Sequence, residues 1–351
     1  MHEVEVAVIG AGQAGLAAGY YLKKRKVSFV ILGQEERVGD SWRNRYDSLQ
    51  LFTPRWYSGL PGDPLRGERS GYASKEEIAD YLEGYADRWT LPVELGTQVQ
   101  AMEPADRAFL LTTSRGVYKA KKVIVATGPF QKPYLPEMAG GVSGEVFQLH
   151  TSDYRNGEQL KPGPVLVVGS GNSGAQIAVE LSQGREREVY LSAGHKLSIA
   201  PQKVLGLSVF WWFRRLGLLY APTDSRIGRM VRGRGEPVFD TGLSGALAKG
   251  DIVLKARSTR AEGRAFWFED EAAPVQVSNV IWATGFRSDY RWIQVHSAID
   301  PAGMPIHRQG ESPVQGLFFL GLPWMRSRAS ALIGGVGVDA SYIVDRLFQQ
   351  E

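Results

Sequence analysis

Two glycine-rich turns, each set between an apolar strand and a helix, restrict this chain more than anything else in its sequence. Val4-Glu5-Val6-Ala7-Val8-Ile9 alternates and then runs apolar into Gly10-Ala11-Gly12-Gln13-Ala14-Gly15; Leu16 to Leu22 has helical composition, and Val27 to Leu32 is apolar again. That order predicts strand, turn, helix, strand. The same grammar returns at Val165-Leu166-Val167-Val168, Gly169-Ser170-Gly171-Asn172-Ser173-Gly174, a helix over Ala175 to Ser182 and a strand over Val189 to Ser192. A pyrophosphate needs backbone N–H groups aimed at it, and a helix N-terminus supplies them with a favourable dipole. In such a turn the first glycine permits the sharp bend, the second admits the diphosphate and the third lets helix and strand pack closely. Gly10, Gly12 and Gly15 fit those roles, as do Gly169, Gly171 and Gly174. One copy is weak evidence; two, each in a βαβ setting, point to two dinucleotides and so to electron or hydride transfer between them.

The duplication extends beyond the turns. Lys122-Val123-Ile124-Val125-Ala126-Thr127-Gly128 and Asn279-Val280-Ile281-Trp282-Ala283-Thr284-Gly285 are apolar strands ending in Ala-Thr-Gly, each at a similar distance after its turn. Between the first turn and the first Ala-Thr-Gly, Val93 to Val99, Phe109 to Thr113 and Gly116 to Lys119 read as a small antiparallel insertion, and after it Pro129 to Pro136 and Gly140 to Pro164 read as crossings. The fold class expected is α/β, with two three-layer, Rossmann-like dinucleotide-binding domains. The first is discontinuous, residues 1–155 plus 285–351, and 156–284 are inserted into it. A helix is expected from about Ala329 onward.

With 351 residues and a net charge of only +4, the chain gives poor support to nucleic acid as a partner; an anionic small ligand suits it as well. It has no cysteine, which removes disulfide scaffolds, thiolate metal sites and dithiol chemistry. No metal site is expected. Val204 to Phe213 is the most apolar segment, about half of the roughly 20 residues a bilayer span needs, and Arg214 and Arg215 end it. No membrane span and no signal peptide are read, and the expectation is a cytoplasmic protein. A homodimer is left open.

The chain resembles the bacterial flavin-containing monooxygenases of the flavoprotein monooxygenase superfamily. The likeness rests on both glycine turns and both Ala-Thr-Gly segments. It also rests on Val38-Gly39-Asp40-Ser41-Trp42-Arg43, on Tyr46-Asp47-Ser48-Leu49-Gln50-Leu51-Phe52-Thr53-Pro54, on Gln148-Leu149-His150-Thr151-Ser152-Asp153-Tyr154, and on Arg328-Ala329-Ser330-Ala331-Leu332. It implies a glutathione-reductase-like pair of domains, FAD at the first turn and NADPH at the second. For FAD it implies Gly10, Gly12, Gln13, Ala14, Gly15, Ser41, Trp42, Phe52, Thr53, Val99, Thr127, Gly128 and Leu332. For the nicotinamide it implies Gly169, Gly171, Asn172, Ser173 and Gly174. The strand Val189 to Ser192 ends without an acid and is followed by His195 and Lys196, which favours NADPH unless both are merely solvated loop residues; the family's usual arginine is missing there, which leaves NADH open as a second donor.

Two departures are informative. The family's acid for the FAD ribose falls on Gly33, which cannot make that hydrogen bond, so either Gln34 or Glu35 substitutes or FAD is held less tightly than usual. Phe52 stands where animal-type enzymes place an asparagine. Several residues carry two readings. His150 is a proton shuttle or a tie at the domain junction; Asn172 reaches the nicotinamide or flavin, or caps its helix. Trp211 to Arg215 form a lid, plain core or a membrane-facing surface. Arg226 to Arg234 are a solvated loop or steer phosphates.

The activity the resemblance implies is an NAD(P)H-consuming monooxygenase that passes one oxygen of O₂ to a sulfide, an amine or a ketone through a C4a-(hydro)peroxyflavin. No catalytic side chain is assigned. The rivals are an NAD(P)H oxidase or dehydrogenase that reduces a quinone or O₂ without oxygenation, and a silent nucleotide-binding protein.

Overall fold

A computed structural model describes residues 1–184, 186–269 and 271–349. Among these, two parallel sheets carry the architecture. In the first, strands Val93–Glu94, Phe29–Leu32, His2–Ile9 and Gly116–Val125 lie side by side in parallel. Ala108–Thr113 and Val99–Ala105 then continue the sheet antiparallel. Leu317–Phe319 adds in parallel beside Val123 to Val125, completing seven strands. The second sheet is wholly parallel, in the order Phe147–His150, Asn279–Trp282, Val165–Val168, Val189–Ser192, Val253–Lys255. Its first strand lies upstream of residue 155.

Eight helices are described: α1 Gln13–Lys24, α2 Asp40–Arg43, α3 Lys75–Arg88, α4 Asn172–Gln183, α5 Val209–Arg215, α6 Arg226–Gly233, α7 Leu243–Lys249 and α8 Ile333–Leu347. None is long and apolar enough to cross a membrane. Because successive strand residues point to opposite faces, Val6, Val8 and Ile124 pack with α1, α3 and α8, while Ala7, Ile9, Val123 and Val125 meet Phe109, Leu111 and Tyr290 behind. The second sheet repeats this: Val165, Val167 and Ile281 face α4 and α7, and Leu166, Val168 and Trp282 face Phe266 and Phe268 of a small antiparallel sheet.

The antiparallel segment is less separate than the sequence suggests. Val93–Glu94 leaves it to become a parallel edge strand beside Ile31 and Leu32. Gly116–Val125 is one ten-residue strand, so the insertion is an extension of the main sheet. Pro92 and Gly96 at the ends of the edge strand break what reads in sequence as one run.

Candidate active site

Both glycine turns are built alike. Gly10 and Gly169 have φ of +112° and +108°, a region side chains rarely adopt. A Cβ on Gly10 would lie 2.5 Å from the Ala126 carbonyl oxygen, and one on Gly169 would lie 2.3 Å from that of Ala283. The Ala-Thr-Gly segments are therefore the floors on which the turns rest. A Cβ on Gly15 would come within 1.9 Å of the Gly10 oxygen and one on Gly174 within 1.9 Å of the Gly169 oxygen, whereas Gly12 and Gly171 face space with nothing within 4 Å. Each turn is thus closed on two sides and open at its middle glycine, a cradle that a diphosphate fits.

Ser74, Ser208 and Ser225 accept first-turn N–H groups of α3, α5 and α6. α1, α4 and α8 start at Gly12, Gly171 and Leu332 with no side-chain cap, as do the shorter α2 and α7 at Gly39 and Gly242. Their orphan N–H groups remain available to an anion or an electron-rich ring edge.

Polar atoms without partners point at the cradles as well. Gly33 leaves no room for a side chain: its Cβ would meet Ala11 Cβ at 2.8 Å and Glu35 Oε2 at 2.9 Å. That Oε2 is buried with no hydrogen-bond partner, and desolvation raises the Glu35 pKa above the usual carboxylate range. Gln34 is exposed. Of the two substitutes read in the sequence, Glu35 is the one whose carboxylate occupies the place a residue-33 side chain would take. In the second turn, Ser170 Oγ is likewise buried and unpartnered.

The other residues expected at the site are spread over several elements. Gln13 Nε2 donates to the Ala331 carbonyl at 3.1 Å, tying α1 to the entrance of α8. Asn172 is not the cap of α4; its Oδ1 accepts from the Phe239 N–H at 2.9 Å. Phe239 stacks on Phe52 at 4.6 Å, and both lie in an apolar cluster with Phe210, Tyr57 and Leu332. The second cradle and the α8 entrance therefore converge on one aromatic cluster. Trp42 packs against the cores of both sheets, whereas Ser41 is exposed. Thr53 is buried with its hydroxyl 2.9 Å from Ser58 Oγ. Thr127 Oγ1 and the Gly128 carbonyl accept from Gln131 Nε2 at 3.1 and 2.8 Å. Val99 packs on the rear core, Ser173 is half-buried at the start of α4, and Ala14 abuts Gly321.

The segment Tyr46 to Gln50 is the joint between the halves. Gln176 of α4 accepts from Tyr46 Oη at 3.1 Å and donates to the Gln50 carbonyl at 3.0 Å. Lys75, buried, donates to the carbonyls of Arg43 and Arg45 and to Asp47 Oδ1 at 3.0, 2.7 and 2.8 Å. His150 sits at the same joint, with Nε2 2.9 Å from the Gly285 carbonyl and its ring edge-on to Phe286.

Desolvation lowers the His150 pKa from its ordinary 6.5, against the opposing pull of Asp153 and the Gly285 carbonyl and with help from Arg45; burial lowers His307 too. The sign follows: below about 6.5 the unfolded chain binds protons that the folded chain refuses. The stabilisation is complete above that pH and is lost as pH falls through the folded values. Resistance to urea is expected to be lower at pH 5.5 than at 7.5, by up to about 1.4 kcal/mol per pH unit for each imidazole. His150→Asn should flatten part of that slope and leave the His307 part. An unchanged slope refutes the assignment.

His195 and Lys196 are exposed beyond the strand that follows α4. Sequence reasoning missed their neighbour Arg257, whose guanidinium donates to the Gly194 carbonyl and pairs with Glu269 at 3.4 Å. It arrives from the end of Val253–Lys255, the strand beside Val189–Ser192. The only signal in the sequence is its place two residues after that apolar segment.

The family described as pyridine nucleotide-disulphide oxidoreductase matches residues 7–204. An "Uncharacterized oxidoreductase CzcO-like" of Geobacillus kaustophilus is 54% identical over 344 residues, covering 98% of this chain and 98% of the relative. The chain belongs to this family. Its members are flavin-dependent oxidoreductases and monooxygenases. The solved flavin-containing monooxygenase from Stenotrophomonas maltophilia superposes with a TM-score of 0.84 at 26% identity, covering 100% of this chain and 99% of that one. An indole-3-pyruvate monooxygenase, YUCCA4 of Oryza sativa subsp. japonica, is 26% identical over 390 residues, 98% of this chain and 87% of the relative. With no cysteine in 351 residues, the disulphide chemistry in the family's description is closed to this chain.

Proposed function

We propose that this chain holds FAD at Gly10 to Gly15 and NADPH at Gly169 to Gly174, and uses NAD(P)H and O₂ to place one oxygen atom on a sulfide, an amine or a ketone. The observation that carries this reading is the matched pair of open cradles at Gly12 and Gly171. Bound FAD would supply the redox chemistry, accepting hydride and passing electrons to O₂. The chain's own residues bind and exclude. Glu35 would accept from the ribose hydroxyls, Gln13 fixes the α8 entrance through its bond to Ala331, and the uncapped N–H groups of α8 would stabilise negative charge on the ring. Phe52, Phe210 and Phe239 keep water from the reacting centre. No side chain is required as a proton donor. The division at residues 155 and 284 belongs to the same proposal, with limited proteolysis as its test.

Purified protein should be yellow. Mixed aerobically with NADPH and methyl phenyl sulfide, an amine or a ketone, it should form product in proportion to NADPH consumed. If hydrogen peroxide accounts for all the NADPH with every substrate, oxygenation is wrong and the oxidase reading replaces it. A colourless chain that takes up no FAD overturns both.

Arg257 is assigned to the NADPH 2′-phosphate, completing the cationic group with His195 and Lys196. Arg257→Ala should raise KM for NADPH roughly tenfold and leave KM for NADH within about twofold, since a charge-assisted contact contributes about 1.5 kcal/mol or more. Equal losses with both nucleotides would refute the role.

A further inference from the structure

Residues 203 to 235 gather exposed apolar and cationic side chains in one segment. Val204, Leu205, Leu207, Trp211, Leu216, Tyr220, Ile227 and Met230 are all exposed, half of the large apolar side chains found exposed among the described residues. Between them stand Lys203, Arg214, Arg215, Arg226, Arg229, Arg232 and Arg234, with Asp224 the only acid. The whole chain carries only +4, so this segment is strongly cationic while the remainder is net acidic.

The arrangement is built. Lys203–Val204 and Leu207–Ser208 form a hairpin whose tip is Leu205-Gly206, both at positive φ, +51° and +76°. Such a turn favours Asn-Gly, and a leucine there is conformationally strained. Leu205 is nevertheless 86% exposed, the most exposed large apolar residue among the described residues. A strained, solvent-facing leucine has no folding rationale. Trp212 Nε1 donates to the Val204 carbonyl at 3.0 Å, pinning the hairpin to α5. Beside them a cavity of about 680 Å³ is lined by Leu207, Trp211, Lys203, Arg69, Arg214 and Arg215 among others, with no acidic residue in its wall. Among the described residues none of these four cations has a carboxylate within ion-pair distance. In α6, Ile227 and Met230 share one face while Arg226, Arg229 and Arg232 share the other, at three-residue spacing.

We propose that this face docks on an anionic lipid bilayer, with Leu205 and Trp211 entering the headgroup region and Lys203, Arg214, Arg215 and α6 pairing with lipid phosphates. The charge decides the occupant: an apolar tip ringed by unpaired cations matches a negatively charged interface, whereas a second copy would bring like charges together. The proposal is independent of the flavin chemistry.

The test is flotation of the full-length purified protein with vesicles of phosphatidylcholine alone or mixed with equal phosphatidylglycerol. Binding is expected only to the anionic vesicles and is expected to fall several-fold from 0.1 to 0.5 M NaCl. Leu205→Asn gives the sharpest reading, because it relieves the strained turn. It should keep or raise the melting temperature while cutting vesicle binding about tenfold. Arg214→Glu with Arg215→Glu should cut it further, roughly fivefold per charge removed. No binding by the parent, equal binding to neutral vesicles, or Leu205→Asn binding like the parent each overturns the proposal. So would retention of inorganic phosphate or a small carboxylate without vesicle binding, or a dimer that Leu205→Asn dissolves.

Discussion

Gly12→Ala should leave the fold standing and empty it of flavin, while Gly15→Ala, the same methyl three residues on, should remove the fold itself. Gly12 has φ −79° and ψ −173°, which any residue adopts, and its Cβ would meet nothing within 4 Å. The fold should lose at most about 1 kcal/mol, because Gly12 is the N-cap of α1, where alanine is the poorer residue but leaves the extended backbone unstrained. The methyl would instead stand where the diphosphate approaches, and FAD affinity should fall at least about tenfold, or roughly 1.4 kcal/mol. On Gly15 the methyl meets the Gly10 carbonyl at 1.9 Å. Backbone cannot yield as a side-chain tip does, so a loss above about 3 kcal/mol is expected. Gly171→Ala and Gly174→Ala should repeat the contrast, the former losing NADPH reduction while staying yellow. Thermal melts beside flavin and hydride-transfer assays separate the two classes. A yellow, NADPH-reducible Gly12→Ala or a stable Gly15→Ala would refute the diphosphate reading of the turns.

Glu35→Gln should act in opposite directions on the empty and loaded protein. In the empty chain Oε2 is buried without a partner, a situation that commonly costs about 1 to 3 kcal/mol. Neutralising it should therefore stabilise the apo-protein by about 1 kcal/mol. Its raised pKa has a matching sign: the folded chain binds the proton more tightly, so this residue favours folding at low pH and opposes it as pH rises through the folded value. Loaded protein is the reverse, since ribose hydroxyls would satisfy the carboxylate and the variant's amide would supply one acceptor fewer. FAD should dissociate roughly tenfold faster from the variant. Apo melts and flavin release measured together decide it. A variant less stable when empty and unchanged in flavin release would remove Glu35 from the site.

How far the sequence disclosed this site depends on the range of the forces involved. A glycine turn is a local backbone requirement, so both cradles and both Ala-Thr-Gly floors stood in the sequence. Choosing Glu35 over Gln34 needed burial, which no local pattern of Gly33-Gln34-Glu35 contains. Arg257 was out of reach because it joins Gly194 only through the pairing of two strands far apart in sequence. Asn172 misled for a related reason: its position at a helix start suggests a cap, but Phe239 offers it an N–H from across the fold. Leu205 carried no signal at all, since its exposure and its positive φ exist only once the hairpin forms.

Gln13 and Ala331, whose side-chain to backbone bond closes the first cradle, are 318 positions apart. At roughly 5 to 20 residues per second on a ribosome, the half-made cradle waits from about a quarter of a minute to a minute for its lid. During that time Val123 to Val125 offer a bare strand margin where Leu317–Phe319 will later lie. Loading of the proposed FAD would therefore wait until residue 331 has been made, and starving a culture of riboflavin should show itself in aggregation of released chains and not in stalled synthesis.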